Sequence, residues 1–175
     1  IEDVRRRRER LVSEVDRLLA DGVTIDTTHA IVPTNFFAAY QGHDDCELAR
    51  KLSRVFRSPQ LVEKRSGKRR SGRIRVGFLS SHFNDHTIGR LNVGRVQRLD
   101  RDRFEVTVIS LGHHDDPIAE QFRRAADHLI EPAGPLDVVR RTIAELELDV
   151  LVFTDVGMNT TTYTLAMSRL AGVQC

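Results

Sequence analysis

The sequence predicts an α/β protein built on an open parallel sheet, preceded by a short helical lead-in. Two observations carry this. From Ile74 onward, short apolar runs alternate with segments of helical period, in the order strand, helix, strand, helix, strand, helix. Before that point two segments of helical spacing flank an irregular stretch, and a basic Gly/Ser stretch at 64–73 separates the two patterns. The expected organisation is therefore a lead-in over 1–63, a linker over 64–73 and the sheet domain over 74–175.

The elements follow in order. Residues 1–20 read as an amphipathic helix with Val4, Leu11, Val15, Leu18 and Leu19 on one face, stopped by Asp21-Gly22. Residues 23–43 are irregular; Pro33-Thr34-Asn35 is a turn, and Phe36, Phe37 and Tyr40 are expected to pack on a neighbouring surface. A second helix spans roughly Asp45 to Phe56 and ends before Pro59. Ile74–Ser80 and Phe104–Ser110 are strands, with a helix from about Thr87 to Leu99 between them. Asp116-Pro117 starts the next helix, an N-cap acid followed by proline in the first turn. Leu129-Ile130 is a short strand, Pro135 opens another helix, and Asp149–Phe153 is the third main strand. A helix over about 161–170 and a strand beginning at Val173-Gln174 complete the reading.

Composition narrows the function classes. The 40% hydrophobic content suffices for a core, while apolar runs such as Val150–Phe153 are far too short to span a bilayer. No secretory signal precedes the first helix, and Cys46 and Cys175 give neither a disulfide framework nor zinc spacing, so the expected compartment is the cytosol. The sequence opens at Ile1 and not at Met, and is expected to be a piece of a longer chain. Basic residues cluster at Arg5–Arg8 and again between Lys64 and Arg75, but the net charge is only +2 and no aromatic residues interleave with them, so no nucleic-acid partner is expected. Glu2/Arg6 and Asp3/Arg7 stand at i,i+4, which reads as a solvated helix face.

In open parallel sheets, ligands bind beyond the carboxyl ends of the strands. Here those ends are Ser80–Thr87, Gly112–Asp116 and Thr154–Asn159, and they hold four of the seven histidines. The first turn has neither Gly-x-Gly-x-x-Gly nor a P-loop, which argues against a dinucleotide or nucleotide-triphosphate cradle. His82 and His86 stand at i,i+4 but across a loop, and no other set has metal spacing; no metal and no cofactor are expected. His113 and His114 read as exposed loop residues.

The blocks Ile74–Leu91, Arg103–Val106 with Ser110-Leu111-Gly112, Ala125–His128, and Asp149–Val152 running through Asp155–Met158 to Arg169–Cys175 resemble, in order and spacing, the O-GlcNAc transferase or SPINDLY-like family of glycosyltransferases, in a form nearer its bacterial members. The resemblance implies a Rossmann-like domain, the first half of a two-domain GT-B catalytic region. It implies inverting transfer of a sugar, often GlcNAc, from a UDP-sugar to serine or threonine hydroxyls of an acceptor protein or peptide. The UDP-sugar would be held mainly by a second domain, no metal would be needed, and tetratricopeptide repeats could adjoin the lead-in. By position it implies a catalytic role for His86, as base or orienter of the attacking hydroxyl. His82, Asn84, Thr87, Asp155, Gly157 and Met158 are the candidate substrate-binding residues. Four positions depart from the family's pattern: His82 stands where Asp is usual, Thr87 where Pro is common, Arg90 where a second histidine is common, and Gly172 where a proline is usual. Two other readings stay open, a non-catalytic protein-binding module with the same fold and a GT-B enzyme acting on a small or Asn acceptor.

Overall fold

The computed structural model describes residues 2–61 and 72–175. Most of the stretch expected as a linker lies outside the described residues; only Gly72 and Arg73 fall within them.

The centre is a five-stranded parallel sheet of β3 (Ile74–Ser80), β4 (Phe104–Ser110), β5 (His128–Ile130), β6 (Val150–Phe153) and β7 (Val173–Gln174). Its spatial order is β5-β4-β3-β6-β7. The chain winds outward from β3 in one direction, returns, and winds outward in the other, so the order reverses between β3 and β6. This is a Rossmann-like arrangement, and the crevice at such a reversal is where these sheets bind ligands.

Strand periodicity explains why helices cover both faces. Val76 and Phe78 of β3, with Val106 and Val108 of β4, point to one side. There they meet Val93 and Val96 of α3 (Thr87–Arg98) and Phe122 of α4 (Pro117–Ala125). Leu79, Ile109, Leu151 and Phe153 point to the other side, against Leu136, Val139 and Ile143 of α5 (Leu136–Glu145) and Leu165 of α6 (Thr160–Ala166). Most of these side chains are fully buried, each worth about 1.5–3 kcal/mol of transfer free energy.

The lead-in holds α1 (Glu2–Ala20), a two-residue β1 (Ile25–Asp26), a 3-10 helix (Phe36–Gln41), α2 (Cys46–Val55) and β2 (Phe56–Arg57), which pairs parallel with β1. Val15 of α1 packs on Leu48, Leu52 and Val55 of α2 in a small core of its own. Val4, expected on that face, is exposed near the start of α1, ahead of Leu11, where the packing begins. Glu2 pairs with Arg5 rather than Arg6, while Asp3 takes both Arg6 and Arg7.

Hydrogen bonds join the lead-in to the sheet layers. The buried Arg140 of α5 donates to the Thr28 carbonyl at 2.6 Å, Val32 N donates to Thr164 Oγ1 at 3.1 Å, and Leu61 N donates to the Arg169 carbonyl at 3.1 Å. The aromatic group behaves differently from expectation. Phe36 is half-buried, but Phe37 and Tyr40 are 79% and 74% exposed. A 3-10 helix has three residues per turn, so positions 37 and 40 share one face, and here it is the outer face.

The last helix also corrects the expectation: α6 stops at Ala166 rather than near residue 170. Gln174 provides the reason. Its Oε1 accepts from Leu170 N and Ala171 N at 2.5 and 3.3 Å, and its Nε2 donates to the Ser168 carbonyl at 2.9 Å. Backbone groups that would have continued the helix are bonded by that side chain instead.

Candidate functional site

The site is built where β3 and β6 release the chain. β3 ends at Ser80, whose buried hydroxyl accepts from His82 N at 2.9 Å and turns the chain sharply. After β6, Asp155 is buried and reaches back across the crevice: Oδ2 accepts from Ser81 N at 3.0 Å and from Ser81 Oγ at 2.8 Å. Its second oxygen, Oδ1, is buried with no hydrogen-bond partner among the described residues. The two loops flanking the topological reversal are therefore tied by one carboxylate.

The β3–α3 loop then folds onto the first turn of α3. His86 is the N-cap residue, in extended backbone conformation, and its Nδ1 accepts from Ile88 N at 3.2 Å. His86 N donates to the Asn84 carbonyl at 2.7 Å. This close approach depends on Gly89. A Cβ there would lie 2.0 Å from Asn84 O and 3.0 Å from His82 O, so only glycine lets the loop rest on the helix. Asn84 Oδ1 is buried without a partner among the described residues.

The His82 and His86 rings stack, with centroids 4.4 Å apart and planes 25° from parallel. Burial holds His82 below the ordinary histidine pKa. The Asp155 carboxylate opposes that shift, and His86 and His114 reinforce it. His114 arrives from the β4–α4 loop and donates through Nε2 to the Ser81 carbonyl at 3.2 Å. Three loops thus converge on Ser81.

Of the candidate residues, His82, Asn84, His86 and Asp155 lie in or against this crevice loop. Thr87 is the exposed first residue of α3. Gly157 has φ +93, serves the β6–α6 turn, and faces Phe36 of the lead-in, 3.5 Å from where its Cβ would stand. Met158 is exposed, and its amide donates to the Asp155 carbonyl at 3.1 Å. The next residue, Asn159, caps α6 through bonds to Thr161 N and Thr162 N at 2.8 and 3.0 Å.

The expectation for His113 and His114 divides. His113 is exposed, paired with Glu131 and Asp115, whereas His114 is half-buried against the site. Ser81 and Gly89 escaped the sequence reading as site residues. A glycine three residues past a helix N-cap, where it costs helix propensity, was the available signal for Gly89; nothing local marks Ser81, whose partner is 74 residues away. Among the described residues, no group of three or more His, Cys, Asp or Glu side chains could hold a metal ion, and no helix is long and apolar enough to cross a membrane.

A solved structure shares this architecture. The chain is similar in fold to a mutant O-GlcNAc transferase from Thermobaculum terrenum, with a TM-score of 0.53 and 21% sequence identity. The likeness covers 59% of this chain and 20% of that one, so this chain corresponds to about a fifth of that protein's length. At this identity the likeness concerns the fold. No protein-family model matches the sequence, and no curated protein matches it.

Proposed function

We propose that this chain forms the first Rossmann-like wall of a GT-B glycosyltransferase that moves a sugar, GlcNAc in the resembled family, from a UDP-sugar to serine or threonine hydroxyls of acceptor proteins. In this reading residues 74–175 are the wall, 1–63 the lead-in and 64–73 the join between them. A second domain contacts most of the donor, tetratricopeptide repeats adjoin the lead-in, and the enzyme works in the cytosol without metal or cofactor.

The observation that carries the reading is the position of His86. It caps the helix after the first central strand, at the reversal of strand order, stacked on His82, on which the Asp155 carboxylate acts from across the crevice. That is the rim where such sheets do chemistry, in a chain whose fold resembles a transferase of this kind. A hydroxyl at this rim would meet imidazole groups able to donate or accept one proton near neutral pH, while departing diphosphate is stabilised from the opposite wall.

The test is transfer by the full-length gene product from UDP-sugars to protein acceptors, read by mass spectrometry of modified peptides. Sugar on serine or threonine, lost with His86→Ala, is the expected result. Unchanged transfer by His86→Ala, or sugar found only on lipid or small molecules, overturns it.

One observation favours a second reading, a protein-docking module. A groove of about 310 Å³ lies between the lead-in and the β6–α6 loop, lined by Phe36, Leu48, Leu52, Val156, Gly157 and Tyr163 among others. Partner binding that needs this groove and no sugar transfer by the full-length product would select it.

A further inference from the structure

The His86 cap bond fixes more than a helix end. A neutral imidazole carries one N–H, and the nitrogen that accepts a hydrogen bond is the one without it. His86 Nδ1 accepts from Ile88 N. Its Nε2 therefore carries the proton and faces its surroundings as a donor. In this arrangement that nitrogen has no lone pair with which to take a proton.

The ring stacked on it has the opposite endowment. His82 is half-buried, and among the described residues no hydrogen bond holds its imidazole. Burial keeps it neutral, so one of its nitrogens is an acceptor. The charged and titratable groups acting on it are Asp155 from the β6–α6 loop, His86 from its own loop and His114 from the β4–α4 loop. Asp155 would favour the imidazolium once a proton arrives. Its position is set by Ser81, and its second oxygen has no donor of its own. At a ring separation of 4.4 Å, nitrogens on adjacent edges can both reach a single oxygen at about 3 Å.

We propose that the two histidines share the activation of one hydroxyl. His86 donates through Nε2–H to the oxygen of that incoming hydroxyl, and His82 accepts its proton. This rests on the glycosyltransferase reading for its chemistry. The hydroxyl oxygen forms a bond to the anomeric carbon of the nucleotide-sugar. The bond from that carbon to the diphosphate oxygen breaks, its electron pair leaving with the diphosphate, and the hydroxyl proton passes to His82. His82 is then the catalytic base and His86 the residue that positions and polarises the nucleophile.

Two measurements test the division. Long-range ¹H–¹⁵N spectra of the histidine rings in this chain, near neutral pH, are expected to show His86 as the Nε2–H tautomer and His82 uncharged. A Nδ1–H tautomer at His86, or a charged His82, overturns the proposal. In the full-length gene product, His82→Gln is expected to lower kcat/KM about 10²-fold or more and to abolish the acid limb of its pH profile. His86→Asn keeps the cap, since asparagine is a strong N-cap; it is expected to lower the rate while retaining that limb. Loss of the acid limb in His86→Asn, with the limb intact in His82→Gln, contradicts the assignment. Absence of transfer by the wild-type product counts against the glycosyltransferase reading alone, and the ring spectra then decide the pairing.

Discussion

The two rims of the central sheet carry similar residue types and use them differently. At the amino rim, where the strands begin, charge meets charge. Arg73 pairs with Glu105 and Asp127, Arg101 joins Asp127, Glu105 also takes a hydrogen bond from His128 Nε2, and Asp149 accepts from Arg75 N. One nitrogen there, Arg75 Nη2, is buried without a partner, on a side chain whose Nη1 is bonded. At the carboxyl rim beside β3 and β6, Asp155 Oδ1 and Asn84 Oδ1 are both buried without partners among the described residues, and the half-buried His82 ring stacks on His86. Buried polar atoms normally find partners, because desolvation without one costs about 1–3 kcal/mol. A rim that keeps several unsatisfied groups is organised for something other than stability. A rim that pairs most of its charges holds the strands in place.

The sharpest way to break this contrast is to disturb the support beneath the carboxyl rim. Gly89→Ala should cost about 3 kcal/mol or more, the high end for overpacking, because the new Cβ strikes the Asn84 backbone. Gly94→Ala, in the same helix with open space around it, should instead stabilise by about 0.5–1 kcal/mol. Paired denaturation curves read both. Equal effects at the two positions would mean that the loop does not rest on the helix as described.

A smaller effect is expected at the cap. His86→Ala should lower stability by about 1 kcal/mol, and His86→Asn should restore most of it, because asparagine supplies the same acceptor to Ile88 N. Thermal unfolding that ranks the asparagine variant with the alanine variant would remove the cap.

The smallest effect is the pH response of two histidines shifted in opposite senses. For His82 the folded value is lowered, so its neutral form costs nothing above about 6.5 and stability falls as pH drops through the lower folded value. For His113 the folded value is raised, first by the hydrogen bond to Glu131 and then by Asp115. Its contribution is complete below about 6.5 and fades as pH rises through the higher folded value. An NMR titration should place His82 below His113. The reverse order would mean that the burial of one, or the ion pairs of the other, is wrongly drawn.

How much of this was legible in the sequence depends on how far apart the interacting residues lie. β3 and β4 have the bounds their apolar runs implied, and Asp116 caps α4 as the Asp-Pro signal implied, accepting from Ile118 N and Ala119 N. These features are local. The early stop of α6 is set by Gln174 from beyond the helix, and the outward face of Phe37 and Tyr40 by a 3-10 turn that apolar content alone does not announce. At the site, the rim and its histidines could be read off the strand ends. The Asp155–Ser81 bridge, the lean of His114 toward Ser81 and the stacking of His82 on His86 could not, because each depends on how separate loops meet in space.

A matched pair of substitutions tests the contrast between rims most directly. Asp155 and Asp127 each accept from a backbone N–H, at Ser81 and Val106 respectively, one on each rim. Asp→Asn at each position, in the full-length gene product, makes the same chemical change twice. With stability and transfer kinetics measured side by side, Asp155→Asn should cut kcat/KM by about 10²-fold, the scale of losing acid–base assistance, whereas Asp127→Asn should lower stability with little change in kcat/KM. Equal kinetic losses at both positions, or a greater loss at Asp127, would contradict the assignment of function to the carboxyl rim.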